Sequence, residues 1–141
     1  MRRKKGLKSA PDVFMDAVRG IFMPSAAVIK DSFIEKGMKV IEFGAGSGSF
    51  AAPASKAAGR GGVVYTACVI PEKEEQAGKK RASMPNIVPV GFPDTKLSDA
   101  SVDRVLLYDV FHLVENKKDL LKEAYRVLRL DGRLYFKDRR M

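Results

Sequence analysis

The sequence predicts an α/β fold in which helices wind on both sides of a parallel sheet. Segments of strand and helix character alternate along most of the chain, and several strand segments are nearly continuous apolar runs, which parallel sheets bury on both faces. With 45% hydrophobic and 30% charged residues, the 141-residue chain can build one globular core, which excludes disorder of the whole chain. We therefore expect one domain over residues 11–141, preceded by a basic tail at residues 1–10.

The order of elements is predicted from helical spacing, strand-length apolar runs and the glycines and prolines between them. In chain order they are helices at 11–23 and 25–36, a strand at 38–43, a helix at 49–58, a strand at 63–70, a helix from 71, strands at 86–90 and 102–110, a helix at 116–128 and a strand at 133–137. A loop at 91–101 and a turn at Asp131-Gly132 complete the order. No internal repeat is present.

Caps and prolines support these boundaries. Ser25 is a typical N-cap, and Gly37 fits the position just past a helix end. Pro53 is tolerated only in the first turn of its helix, and Pro71, followed by acids, favours a helix start. For the second helix we expect the apolar side to be Ala26, Ile29, Phe33 and Ile34, and for the last helix Leu120, Leu121, Ala124, Val127 and Leu128.

Most of the net charge of +9 belongs to the amino terminus. Five of the 26 cations lie in the first eight residues, which contain no acid; the remaining 21 cations face 17 acids, a net charge of +4. One interpretation is that this tail binds phosphate, nucleic acid or anionic lipid. The interpretation that we favour is a solvated terminus without a specific partner.

The composition also excludes several classes of protein. A single cysteine and a single histidine exclude a disulfide framework and argue against a zinc cluster. No apolar run approaches the roughly 18 residues of a membrane span. Asp12 and Asp16 interrupt any apolar leader segment, so we expect a cytoplasmic protein.

The most specific feature is a glycine-rich segment directly after the first predicted strand. It reads Val40-Ile-Glu42-Phe-Gly44-Ala-Gly46-Ser-Gly48, with the spacing G-x-G-x-G. A strand that ends in glycines and leads into a helix brings backbone N–H groups to a ligand at the carboxyl ends of the strands. The pattern G-x-x-x-x-G-K-[ST] is absent, which excludes an ATP-binding P-loop. A dehydrogenase is the least favoured function, because no acid ends the second strand.

Several segments in this order resemble the class I S-adenosylmethionine-dependent methyltransferases, especially their small-molecule branch. Residues 42–48 are similar to the E/D-x-G-x-G-x-G motif of that family. Residues 99–103, 111–115 and 126–134 resemble its D-x-S-F-D, L-H-H-V-E and R-V-L-K-P-G-G-R-L motifs. The resemblance covers nearly all of residues 37–137 and implies a Rossmann-like, doubly wound parallel sheet of order 3-2-1-4-5. We therefore expect a sheet without the family's usual C-terminal antiparallel hairpin.

The resemblance implies that S-adenosylmethionine is the cofactor and that Glu42 and the glycine-segment backbone hold its methionine part. A carboxylate suits that place because the cofactor carries an ammonium and a sulfonium group; the alternative is a local cap or pair. The implied cofactor-binding residues are Glu42, Phe43, Gly44, Ala45, Gly46, Gly48, Cys68, Phe92, Asp94 and Tyr108. We assign no metal ligand and no catalytic residue, since methyl transfer depends mainly on positioning and a dedicated base is optional.

Three positions depart from the family pattern. Cys68 stands where the family usually has an acid that binds both ribose hydroxyls, and its alternative role is that of an ordinary buried residue. In the loop after the third strand, Phe92 either stacks on adenine or fills the core, and Asp94 is a candidate replacement for the adenine-binding acid. His112 stands alone where the family has a pair, as a general base or as a structural residue.

The leading functional hypothesis is methyl transfer from S-adenosylmethionine to an unidentified small-molecule acceptor. The alternative is a degenerate, non-catalytic module that binds a ligand or a protein, which the altered ribose and adenine positions favour and the glycine segment opposes. An RNA-directed function has only the tail and residues 79–81 in its favour. The last strand would be an uncovered edge, partly protected by the charges of Arg133, Lys137, Asp138, Arg139 and Arg140. We expect a second copy or a partner chain to pair there.

Overall fold

Five strands pair into one sheet in the computed structural model of the chain, which describes residues 27–46, 49–73 and 84–138. In chain order they are β1 (Lys39–Gly44), β2 (Val63–Cys68), β3 (Ile87–Val90), β4 (Val102–Tyr108) and β5 (Leu128–Lys137). Their order in the sheet is β3-β2-β1-β4-β5, and each neighbouring pair is parallel. The predicted fold class and strand order are confirmed. All strands therefore end at the same side of the sheet, called here the carboxyl edge.

Three α-helices lie in the described part of the chain: α1 (residues 27–31), α2 (Ala51–Ala58) and α3 (Lys117–Val127). Pro53 lies in the first turn of α2, where no helical hydrogen bond is lost. Asn116 caps α3, since its side-chain oxygen accepts from the backbone N–H of Asp119 at 3.2 Å. Short 3₁₀ turns follow β2 and β4, at Pro71–Lys73 and Phe111–Leu113.

Several sequence predictions fall outside the described residues. They are the basic tail, the helix at 11–23, the start of the second helix and the continuation of the helix from Pro71. The division of the chain at residue 10 therefore stays a prediction. Within the residues that the structure describes, no helix is long and apolar enough to cross a membrane.

The core consists of two apolar clusters, one on each face of the sheet. Ile41 and Phe43 of β1 belong to the cluster that α3 covers, whereas Val40 belongs to the cluster with α1 and α2. All three side chains are fully buried. Burial on both faces explains why the central strands are continuous apolar runs in the sequence.

Two apolar residues that we expected to be buried are exposed. Phe33 is 64% exposed and has a φ of 51°, because α1 ends at residue 31 and the hydroxyl of Ser32 donates to the carbonyl of Ile29. Such a local side-chain bond competes with continuation of a helix. Leu121 is 46% exposed because Glu123, not Leu121, completes the buried stripe of α3.

The last strand begins earlier than predicted. Leu128 pairs with Val102, but Arg133 pairs with Arg104, so β5 has extra residues between two paired positions. The predicted turn at Asp131-Gly132 is the bulge that holds them. A Cβ at Gly132 would approach the carbonyl oxygen of Asp103 to 3.0 Å, which accounts for the glycine at this position.

Glu123 holds the loop before β4 against α3. Its carboxylate accepts hydrogen bonds from the backbone N–H and the hydroxyl of Thr95, at 2.8 and 2.7 Å, and from Arg126 Nε and Nη2, at 2.7 and 2.8 Å. Arg126 also donates to the Leu97 carbonyl at 2.7 Å and to Asp99 at 2.8 Å. The bonds from Arg126, followed by those from Thr95 and against the effect of burial, lower the pKa of Glu123 to about 2.

This pKa predicts a stability that depends on pH. The folded pKa lies below the unfolded value of about 4.5, so the stabilisation is present above that pH and is lost as the pH falls toward 2. Relative to Glu123→Gln, we expect the native chain to be about 1–3 kcal/mol more stable near neutral pH, since Arg126 is partly exposed to solvent. Urea unfolding of both proteins between pH 7 and pH 3 measures the difference.

Glu35→Gln is the matched control, because the Glu35 side chain is exposed. It should change the unfolding free energy little at any of these pH values. A Glu123→Gln effect that stays constant from pH 7 to pH 3 would contradict the assignment.

Candidate functional site

The centre of the carboxyl edge lies where β1 ends. β1 lies between β2 and β4. The chain therefore builds the sheet outward on one side of β1, through β2 and β3, and then on the other side, through β4 and β5. At such a reversal of strand order, two loops diverge and leave a crevice in which open α/β sheets bind ligands. Residues 44–46 of the glycine segment lie at this position.

Glu42 is buried at this edge, with 6% of its surface exposed. Its side chain folds back over Gly44, since a Cβ at Gly44 would collide with Oε1 and lie 3.1 Å from Cδ of Glu42. Gly44 is therefore a glycine because the carboxylate occupies the space of a side chain. Gly46 has a φ of 90°, which a residue with a side chain rarely adopts.

The remaining residues of this segment have different positions. Ala45 and Gly46 are half-buried, whereas Phe43 is a fully buried core residue. Gly48 lies outside the described residues. The structure describes the chain again from Ser49, two residues before α2 begins.

Cys68 lies beside the glycine segment at the end of β2. It pairs in register with Gly44, the last residue of β1. Its thiol is buried and donates to the carbonyl oxygen of Ile70 at 3.2 Å. A thiol here lacks the two acceptor oxygens that a carboxylate offers to a pair of hydroxyls.

The two candidates in the loop after β3 are engaged with their own neighbours. The ring of Phe92 packs edge-on against Phe43, with centroids 6.1 Å apart, and joins the cluster under α3. Asp94 is exposed and forms an ion pair of 2.9 Å with Lys96. Hydrogen bonds from the side chain and backbone of Lys96 hold the pKa of Asp94 below its usual value.

Tyr108 ends β4 and is buried in the cluster on the α1 and α2 face. Its ring packs on Phe50 with centroids 5.2 Å apart. Burial raises the pKa of its hydroxyl to about 12, partly offset by a hydrogen bond with Ser32. Glu42, Gly44, Gly46 and Cys68 thus lie together at the carboxyl edge, whereas Phe43, Phe92 and Tyr108 pack in the core.

Sequence reasoning missed one pair at this edge. His112, in the 3₁₀ turn after β4, contacts Asp138, which follows β5: Nδ1 lies 2.8 Å from each carboxylate oxygen. Asp138 was expected to protect the sheet edge as an exposed charge, but its side chain is fully buried. No sequence spacing indicates the contact, because the two residues are 26 positions apart and only the pairing of β4 with β5 brings them together.

Within the described ranges, no group of three or more His, Cys, Asp and Glu side chains is arranged to hold a metal ion. The site therefore consists of a buried carboxylate, a glycine-rich strand end and a histidine–aspartate pair on one edge of a doubly wound parallel sheet. This is the architecture of an α/β ligand-binding domain.

A profile of the methyltransferase domain family matches residues 41–136, which is most of the chain. The chain therefore belongs to the methyltransferase domain family, and the resemblance seen in its motifs is confirmed. No curated protein matches it.

Three similar solved structures have sheets of the same kind. A SAM dependent methyltransferase from Aquifex aeolicus is 25% identical, with a TM-score of 0.67, over 86% of this chain and 69% of that one. An arsenic(III) S-adenosylmethionine methyltransferase from Chlamydomonas reinhardtii is 28% identical, with a TM-score of 0.63, over 86% of this chain and 48% of that one. A chain of the complex that contains the Trm112 methyltransferase activator of Haloferax volcanii is 21% identical, with a TM-score of 0.67, over 90% of this chain and 57% of that one. The chain thus spans roughly half to two-thirds of their lengths.

Proposed function

We propose that this chain binds S-adenosylmethionine at the carboxyl edge and takes part in methyl transfer to a small-molecule acceptor. The observation that carries the proposal is the buried Glu42 carboxylate folded over Gly44, two residues before Gly46 with its positive φ. Membership of the methyltransferase domain family supports it. A cytoplasmic location stays a prediction from the sequence.

The residues at the end of β1 fit the methionine part of this cofactor. A buried carboxylate gains from a cationic partner, and the cofactor offers an ammonium and a sulfonium group. The glycine segment exposes backbone groups to a ligand without side chains in the way. When bound, S-adenosylmethionine supplies a methyl group on a positively charged sulfur. Glu42 and residues 44–46 would hold it, and the chain's contribution is then to position the two reactants.

The residues expected to bind the ribose and the adenine fit this cofactor less well than those at the end of β1. A second function is therefore also a candidate. The Cys68 thiol donates to Ile70, and Asp94 is paired with Lys96. Both arrangements favour a module that has kept the fold and lost tight cofactor binding. Under that alternative the chain binds another ligand or a protein without catalysis.

Calorimetric titration with S-adenosylmethionine and S-adenosylhomocysteine separates the two functions. We expect a dissociation constant below about 100 μM, equivalent to roughly −5.5 kcal/mol or better. Absence of both heat and a thermal shift at millimolar ligand would favour the non-catalytic module.

Gly46→Val should abolish this binding and leave the sheet intact, because the new side chain would fill the ligand's space. Gly37→Val is the matched control: Gly37 has the same φ of 90°, precedes β1 at the opposite edge, and its Cβ would meet nothing within 4 Å. Each variant should lose about 1–2 kcal/mol of stability from backbone strain. Only the Gly46 variant should lose affinity, by more than about tenfold in calorimetry. Equal affinity of the two folded variants would contradict the site.

Cys68→Asp should tighten cofactor binding, since it places a carboxylate at the end of β2 beside Gly44. Two hydrogen bonds from ribose hydroxyls to a charged acceptor are expected to add about 1–2 kcal/mol. Cys68→Asn has the same shape without the charge and should gain less. Unchanged affinity in the Asp variant would place position 68 outside the ligand site.

The free edge of β5 is the proposed contact for a second copy of the chain. Within the described residues β5 pairs only with β4, and Leu134 and Phe136 are exposed along it. We expect a dimer in sedimentation at tens of micromolar that persists in moderate salt, because the net charge of +9 opposes unspecific association. Leu134→Arg should give monomers, whereas Leu130→Arg, in the fully exposed bulge, should not. A strictly monomeric native chain would refute this contact.

A further inference from the structure

The pair of His112 and Asp138 has a geometry that fixes the imidazole. Nδ1 of His112 lies 2.8 Å from Oδ1 and 2.8 Å from Oδ2 of Asp138. The backbone N–H of His112 also donates to Oδ2, at 3.0 Å. The carboxylate therefore binds the residue at two points and restrains both the backbone turn and the ring.

The two side chains differ in their exposure to solvent. The Asp138 side chain is fully buried, whereas 24% of the His112 side chain is exposed. A buried carboxylate is stable only when hydrogen-bonded or paired, so this contact with the imidazole is strongly favoured.

The contact also selects the tautomer of the histidine. An ionised carboxylate can only accept hydrogen bonds, so the proton of the neutral ring is on Nδ1. Nε2 keeps its lone pair, and it makes no hydrogen bond to any residue in the described ranges. An imidazole nitrogen in this state is a proton acceptor.

The pair lies on the same edge of the sheet as the glycine segment. His112 follows the end of β4, Asp138 follows the end of β5, and β4 is the direct neighbour of β1. Phe111 packs edge-on against Phe136, with centroids 5.5 Å apart, and the Lys117 ammonium lies 5.5 Å from the Phe111 ring. These contacts hold the turn that carries His112 against the end of β5.

We propose that His112 Nε2 removes the proton from a hydroxyl group of the acceptor during methyl transfer, and that Asp138 positions the ring for this step. The proposal rests on the proposed function and adds the chemical class of the acceptor. His112 is then a catalytic residue, and Asp138 is a positioning residue that acts through it.

The step balances without a further reactant. The hydroxyl oxygen forms a bond to the methyl carbon, the bond between that carbon and the sulfonium sulfur breaks with its electron pair on sulfur, and the hydroxyl proton moves to Nε2. The imidazolium that forms remains bonded to the Asp138 carboxylate, which offsets its charge. A base matters most for oxygen, because a methylated oxygen that kept its proton would be a strongly acidic oxonium, whereas a methylated amine is stable as an ammonium ion.

Nitrogen NMR of the imidazole tests the geometry independently of any ligand. His112 is the only histidine of the chain, so its ring signals are unambiguous. We expect the Nδ1–H tautomer in the native protein and a substantial Nε2–H population in Asp138→Asn, which lacks the negative charge. An Nε2–H tautomer in the native protein would overturn the proposal, since Nε2 would then have no free lone pair.

Chemical modification tests whether Nε2 faces the site. Diethyl pyrocarbonate should modify His112, and saturating S-adenosylhomocysteine should slow this reaction severalfold, as followed by mass spectrometry. If calorimetry shows binding but the modification rate is unchanged, the histidine does not face the site and this proposal fails alone. If calorimetry shows no binding at all, the proposed function fails and this proposal fails with it.

A matched set of acceptors tests the hydroxyl class. Radiolabelled methyl transfer is measured with simple phenols and with the anilines of the same shape. We expect transfer to phenols in preference to anilines, and a decrease in kcat of about 10²–10⁴-fold in His112→Ala with unchanged affinity for S-adenosylhomocysteine. Asp138→Asn should lower kcat more than it raises KM, and Asp138→Glu should restore part of the loss. Equal transfer to both classes, or an unchanged kcat in His112→Ala, would overturn the assignment.

Discussion

Burial of β1 on both faces, between two parallel neighbours, is the constraint on which the rest of the structure depends. Ile41 and Phe43 face one apolar cluster and Val40 faces the other, so no side of the strand is left to water. The chain can leave such a strand only at its ends. The carboxyl end therefore carries the polar group and the glycines, and the buried Glu42 carboxylate lies at the point where the packing stops. The way that the core is filled therefore leaves this edge as the place for the proposed site.

The elements around β1 are held by side chains that bond to backbone groups. Asn86 donates to the carbonyl oxygens of Ser55 and Gly59, at 3.1 and 3.0 Å, and so ties the end of α2 to the start of β3. Glu123 does the same between α3 and the loop before β4. These polar contacts satisfy groups that the sheet and the helices leave unpaired at their ends. Together they hold α2 and α3 in place against the rest of the fold.

The sequence predicts those features that depend on local chemistry. The apolar runs, the caps and the glycine spacing led to the five strands and to the position of Glu42 at the end of the first, because each follows from the periods and preferences of single elements. The order of the strands in the sheet was instead implied by the resemblance to the methyltransferase family. Leu121 and Phe33 were assigned to the core from spacing alone. Their exposure depends on competing bonds, through Glu123 and Ser32, that no periodicity records. Asp138 was missed for a related reason: its burial depends on the pairing of two distant strands, and its residue type favours solvent.

The two buried carboxylates of the carboxyl edge follow one electrostatic rule and differ in their partners. Glu42 lies over a glycine segment, and we propose that its carboxylate also contacts a cationic group of the ligand. The carboxylate of Asp138 contacts Nδ1 of His112 at 2.8 Å. Because a carboxylate in an apolar setting favours positive charge, each would stabilise a cation at the same edge: a sulfonium-bearing ligand at one, an imidazolium at the other. In the proposed methyl transfer to a hydroxyl group, positive charge would move from the sulfonium to the imidazolium. One buried carboxylate of this edge would then stabilise the charge before the transfer, and the other would stabilise it afterwards.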